Sequence, residues 1–198
     1  MKDRITPLLP VEIMELIAEY LPIKERFTMA VNLRLIYIRD KCIPLLEYAT
    51  IDDATYKGQI DLLDWWKNSG LECKYHVFPA MEYASLRGDV EVLEWWKNSG
   101  LEYKWTEWAM NYASREGHVH VLEWWKNSGL ECKSSASAMD SASQNGHIAV
   151  LEWWKNSGLE CKWTSCAVYW ASEKKLTHVL EWWKQSGFDV LNGNLNLY

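Results

Sequence analysis

The segment Val121-Leu122-Glu123-Trp124-Trp125-Lys126-Asn127-Ser128-Gly129-Leu130-Glu131 returns unchanged at 92–102 and 150–160. Its Trp-Trp pair also stands at Trp65-Trp66 and Trp182-Trp183, so successive pairs are 30, 29, 29 and 29 residues apart. A fixed period of this length is the mark of stacked structural units. It also accounts for the unusual composition, because ten of the 14 Trp in the 198 residues belong to these pairs. Ala84, Ala113, Ala142 and Ala171 keep the 29-residue spacing, which places the extra residue of the first interval between Tyr75 and Ala80, in a loop.

Nine of the ten Gly fall on the same grid. One set, at 58, 88, 117 and 146, separates two helical stretches, and the other, at 70, 100, 129, 158 and 187, ends the second stretch. Glycine just past a helix end takes left-handed backbone without steric cost, so each unit reads as helix, turn, helix, loop. Thr106, Ser135 and Thr164 supply hydroxyl N-caps to successive first helices, which carry small residues at 109/113, 138/142 and 167/171. On the second helix, Trp124, Trp125 and Leu122 fall at about −60°, 40° and 100° from Val121, an apolar arc roughly 160° wide. Glu123 and Lys126 point away as an expected i,i+3 ion pair. Adjacent Trp do not share a face, so burying both requires cover from the partner helix and from the next unit. Truncating Trp124 is therefore expected to cost about 3–5 kcal/mol, and truncating Trp182, in the last unit, less.

The run Ala113-Ser114-Arg115-Glu116-Gly117-His118-Val119-His120-Val121-Leu122-Glu123-Trp124-Trp125 resembles the ankyrin repeat, with its small residues, Gly-His turn and apolar second helix, Trp replacing the family's leucines. The likeness covers about 45–187. The unit is shorter than the ankyrin length of about 33 residues, and the residues missing are those of the β-turn finger. Short Trp-rich arrays of this kind occur in fungal, amoebal and giant-virus proteins. The resemblance implies a concave side lined by the first helix and its lead-in. The second helix is nearly invariant, whereas Tyr75, Trp105 and Trp163 in the lead-in, and Glu82, Asn111, Asp140 and Tyr169 on the first helix, differ from unit to unit. These seven are the expected partner-binding residues, with Trp105 and Trp163 as exposed anchors on either side of a gap at Ser134.

Residues 1–44 hold four of the five Pro and none of the repeat. Pro10 opens and Pro22 stops an amphipathic helix with Ile13, Leu16, Ile17, Tyr20 and Leu21 in phase, and a second helix follows around Phe27, Ala30 and Val31. Leu9-Pro10-Val11-Glu12-Ile13, Ile17, Tyr20-Leu21 and Val31-Asn32 resemble an F-box. That likeness implies docking on the linker subunit of an SCF-type ubiquitin ligase through Leu9, Pro10, Ile13, Ile17 and Leu21. Tyr37 alone stands near the aromatic position that closes such a box. A helical hairpin capping the first unit, without a ligase link, fits the same residues.

With 21 Lys and Arg against 27 Asp and Glu, the net charge is −6. There is no broad basic field to bind nucleic acid or an anionic membrane. Glu12, Glu15 and Glu19 break the apolar stretch after Arg4, which does not read as a secretory leader. Five Cys are an odd number, and they fit a reduced intracellular setting, cytoplasmic or nuclear. Cys73, Cys132 and Cys161 share one repeat slot and read as half-buried core; no Cys-x-x-Cys spacing or convergent His suggests a metal. His118 and His147, 29 residues apart, read as structural turn residues. No phosphate loop or nucleophile elbow is present.

The expectation is an all-α chain: a helical hairpin over 1–44, a helix-turn-helix solenoid of about five ankyrin-like repeats over 45–187, and a polar tail over 188–198. It is not an enzyme, needs no cofactor or metal, is a monomer, and binds a protein partner as a substrate-recruiting ligase adaptor or as a plain repeat scaffold.

Overall fold

A computed structural model of the chain describes residues 51–68 and 80–189. The described residues form ten helices and no strand: α1 Ile51–Lys57, α2 Ile60–Asn68, α3 Ala80–Arg87, α4 Val90–Asn98, α5 Trp108–Arg115, α6 Val119–Asn127, α7 Ser137–Gln144, α8 Ile148–Asn156, α9 Cys166–Glu173 and α10 Thr177–Ser186. Each consecutive pair is one repeat unit, and the units stack in chain order. The hairpin expected over 1–44 and the tail from 190 onward lie outside the described residues.

The odd-numbered helices press together along their lengths, while the even-numbered ones meet at few positions. Side-chain size explains the difference. Ala80, Ala84, Ala109, Ala113, Ala138, Ala142, Ala167 and Ala171 are all fully buried on the odd helices, and a methyl group lets two backbones approach closely. On the even helices indoles fill the wider space between units.

The two Trp of each pair differ. Trp96, Trp125, Trp154 and Trp183 are at most 1% exposed and form the deep core, whereas Trp95, Trp124 and Trp153 are only half-buried. The expectation that Trp124 is the internal core residue is thus corrected to Trp125. Trp182 is better covered than Trp95, Trp124 and Trp153, at 8% exposure, because Phe188 packs 6.1 Å from it; the internal units have the smaller Leu101, Leu130 and Leu159 at that place.

Both indole N–H groups reach the preceding unit. The buried ring donates to a hydroxyl on the odd helix: Trp96 to Thr55, Trp125 to Ser85, Trp154 to Ser114 and Trp183 to Ser143, at 2.9–3.0 Å. The half-buried ring donates to a carboxylate on the even helix: Trp95 to Asp64, Trp124 to Glu94, Trp153 to Glu123 and Trp182 to Glu152, at 2.5–2.8 Å. Those glutamates were expected to serve ion pairs with Lys three residues on. Glu94 does stand 4.0 Å from Lys97, but the bonds its oxygens make go to Trp124 and Asn98.

The first-helix hydroxyls act one residue earlier than an N-cap at the helix boundary. Thr106 Oγ1 accepts from Trp108 N at 3.2 Å, and Thr164 Oγ1 from Cys166 N at 3.1 Å; the intervening Glu107 and Ser165 already have helical backbone. At the inter-helix turn, Gly117 has φ 80° and its missing Cβ leaves room for His147, whose Nδ1 would stand 2.9 Å from it. His118 fills the same room over Gly88 and places Nε2 3.1 Å from Leu86 O of the preceding unit. Such a role suits a structural imidazole.

Candidate interaction surface

Of the seven residues expected on the concave side, five are bonded into the stack. Trp105 is half-buried. Its indole donates to Glu131 O at 3.0 Å, its ring lies 5.9 Å from Trp125, and Lys133 Nζ sits 4.9 Å over it. Trp163 is 7% exposed, donates to Asp189 O at 3.3 Å and packs 4.6 Å from Phe188. Neither ring is an exposed anchor. With no finger to cover the end of the even helix, the short loop folds these rings down onto the buried Trp.

The slot read as exposed on the first helix is instead an inter-unit cap. Glu82 is 4% exposed and Asn111 2% exposed. Glu82 Oε1 accepts from Thr106 N and Oγ1 at 2.9 and 3.1 Å. Asn111 donates to Ser135 Oγ at 2.8 Å and accepts from Ser135 N at 3.2 Å. Asp140 accepts from Thr164 N and Oγ1 at 2.9 and 2.6 Å. The slot varies among Glu, Asn and Asp because any side-chain carbonyl oxygen holds the next unit's hydroxyl residue. Only Tyr169, on the last described odd-numbered helix, is exposed as expected, at 55%. Tyr75, Leu9, Pro10, Ile13, Ile17 and Leu21 lie outside the described residues.

Three aromatic residues that the sequence reading passed over, Trp108, Tyr112 and Trp170, stand on the outer side of the odd helices, Tyr112 half-buried and the other two exposed. Trp108 is 47% and Trp170 42% exposed. Trp108 packs 5.4 Å from Tyr112, and the Arg115 guanidinium lies 4.9 Å over the Tyr112 ring while bonding Glu116 at 2.8 Å. Their positions did vary between units: 108, 137 and 166 read Trp, Ser, Cys, and 83, 112, 141 and 170 read Tyr, Tyr, Ser, Trp. That variation was the available signal. On α7 the intermediate positions are Ser137 and Ser141, so the surface dips between the aromatics of α5 and α9. At about 10 Å per helix layer the two walls stand roughly 20 Å apart, which leaves a trough about as wide as one helix.

The titratable groups along the stack follow their bonds. The indole of Trp124 holds the Glu94 carboxyl below its ordinary range, with Asn98 adding to the effect, and Trp153 and Asn127 do the same for Glu123. Burial pushes Asp140 up despite its bonds to Thr164. Burial also raises the half-buried Cys132 and Cys161 thiols, whose Sγ atoms face Trp125 O and Trp154 O. Among the described residues no three His, Cys, Asp or Glu side chains gather as metal ligands would, and no helix is long and apolar enough to cross a membrane.

Compared with known proteins, the chain matches no family model and no curated protein sequence.

Proposed function

We propose that this chain is a non-enzymatic protein-interaction module: an ankyrin-like solenoid that holds a helical segment of a partner protein in the trough between Trp108/Tyr112 and Trp170. The observation that carries this reading is the exposure of Trp108. The ten indoles at 95, 96, 105, 124, 125, 153, 154, 163, 182 and 183 all donate into the stack. Trp108 is instead half in solvent, next to Tyr112 and across a floor of small hydroxyl residues. Large aromatics beside a close-approach floor are what anchors an interface, and a helix laid in a groove is a standard recognition mode.

The F-box-like opening Leu9-Pro10-Val11-Glu12-Ile13 supports the fuller reading, in which the N-terminal segment docks on the linker subunit of an SCF-type ligase and the repeats recruit the substrate. The two halves are tested separately. Purified linker protein is captured by the wild type and lost in Leu9→Asp/Ile13→Asp, with helical circular dichroism intact; no capture by the wild type refutes the ligase half. Proteins co-purifying with the tagged chain are compared in wild type and Trp108→Ala/Tyr112→Ala. An unchanged set refutes the trough as the site.

A further inference from the structure

Between α2 and α4 the wide spacing of the even-numbered helices leaves an open cleft of about 510 Å³, within the size range of small-molecule sites. Ile60 and the half-buried Trp95 ring are its apolar lining, and the exposed Asp64, Lys67, Glu91 and Glu94 are its charged lining. Asp64 Oδ1 accepts from the Trp95 indole at 2.7 Å. That bond fixes the ring against α2 and keeps a carboxylate charge beside it.

Two differences set this cleft apart from the equivalent positions further along the stack. The carboxylate that holds the indole is Asp64 here, and the longer Glu94, Glu123 and Glu152 at the later junctions. Glu91 is replaced in the following units by His120, Ala149 and His178. His120 places Nε2 2.9 Å from Gly88 O, whereas Glu91 bonds to no described residue. Three carboxylates against the Lys67 ammonium give the cleft a formal charge of −2. At the α6–α8 junction, with Glu123 and Glu152 against Lys126 and with Ala149 in the place of Glu91, the same positions carry −1.

The next junction shows what such a lining accepts. There the Lys97 ammonium stands 6.0 Å from the centre of the Trp124 ring and 4.0 Å from Glu94, so a cation sits between an aromatic face and a carboxylate. Lys67 has the place of Lys97 at the first junction, yet it makes no ring contact or ion pair with any described residue. We propose that the α2–α4 cleft binds a linear aliphatic diamine. One ammonium takes the position over Trp95 beside Asp64, the methylene chain lies along the indole and Ile60, and the second ammonium pairs with Glu91. Two positive charges cancel the −2 of the lining, and the chain matches its apolar part; a metal ion has no such chain, and a monoamine lacks the second charge. Ion pairs at exposed positions are weak, which puts the dissociation constant on the order of 1 mM. The cleft lies on the even-numbered helices, apart from the trough of the odd-numbered ones.

Cadaverine titrated at low salt into the isotope-labelled full chain, with the indole N–H resonances as readout, tests the proposal. The Trp95 signal, identified by its loss in Trp95→Phe, is expected to shift saturably, and the Trp124 signal to stay in place. Glu91 and Lys67 are exposed, so their variants should keep the helical circular dichroism of the wild type. Glu91→Ala is expected to weaken binding about twofold to fivefold, and Lys67→Ala, which removes a like charge, to tighten it. Butylamine, with a single ammonium, is expected to bind several times more weakly than cadaverine. Equal shifts at Trp95 and Trp124 would mean a general attraction of cations to an acidic chain and would overturn the proposal. So would a Trp95 signal that does not saturate, an affinity unchanged in Glu91→Ala, or butylamine binding as tightly as cadaverine.

Discussion

The bond between Trp125 and Ser85 offers the sharpest measurement of what joins one unit to the next. Indole and hydroxyl are both 0% exposed, and Nε1 lies 3.0 Å from Oγ. Ser85→Ala removes the acceptor and leaves a buried N–H without a partner, at a cost of about 1–3 kcal/mol. Trp125→Phe removes the donor and also shrinks the ring, so its total is larger and mixes two effects. In the double variant the orphaned N–H is gone, and the loss from the smaller ring appears on both sides of the cycle and cancels. The coupling energy from the four proteins should therefore be about 1–2 kcal/mol. Urea unfolding followed by far-ultraviolet circular dichroism reads it, and Trp154 with Ser114 supplies an internal duplicate at the same 3.0 Å. A coupling within the ~0.5 kcal/mol scatter of additive sites at both pairs would refute the claim that these bonds stabilise the stack.

Gly117→Ala should destabilise more than Gly129→Ala, although both residues have φ near 80°. Left-handed backbone costs each about 1–2 kcal/mol, but only the Gly117 methyl meets an imidazole, at 2.9 Å, whereas nothing stands within 4 Å of Gly129; equal shifts in melting temperature would contradict this. Glu123 has a folded pKa below its unfolded one, so its contribution is complete above the unfolded value and is lost as pH falls through the folded value. Urea midpoints of Glu123→Gln taken from neutral to acid pH should thus fall less steeply than those of the wild type. Asp140 is shifted the other way by burial, so its charge weakens the fold above the folded pKa and protonation relieves it. Asp140→Asn, which copies the Asn111–Ser135 pairing, should be at least as stable as the wild type at pH 7, and a lower urea midpoint there would show that the charged bonds to Thr164 outweigh burial.

The helices were legible because their signal is local. Period, paired glycines and small first-helix residues are properties of one unit, and each marks a boundary or a face. The destinations of side chains were not legible, because every ladder crosses from one unit to another. Nothing within a unit says that Glu82 points at Thr106 rather than at solvent. Polar, variable residues on a helix ordinarily mean surface, and here the variation is among interchangeable acceptors. Trp105 misled for a similar reason: its slot alternates between Trp and Ser, as an anchor would, yet the ring is a lid whose absence at Ser134 the loop tolerates. Trp108 and Tyr112 were visible as variable aromatics but fell outside the slots singled out.

The spacing of the ladders bears on how such a gene can change. From α3 onward each of the three ladders joins residues at a constant separation: 24 for the caps, 30 for Trp to Glu and 40 for Trp to Ser. These separations are counted along the chain and recur every 29 residues. Excising or duplicating one in-frame period within this region therefore renumbers the donors and acceptors without separating any pair. Only the first junction, where the separations are 31 and 41, is fixed in place. Unequal recombination could lengthen or shorten the array one whole unit at a time, with no compensating point mutation required, so that copy number is free to drift while the two ends stay constant.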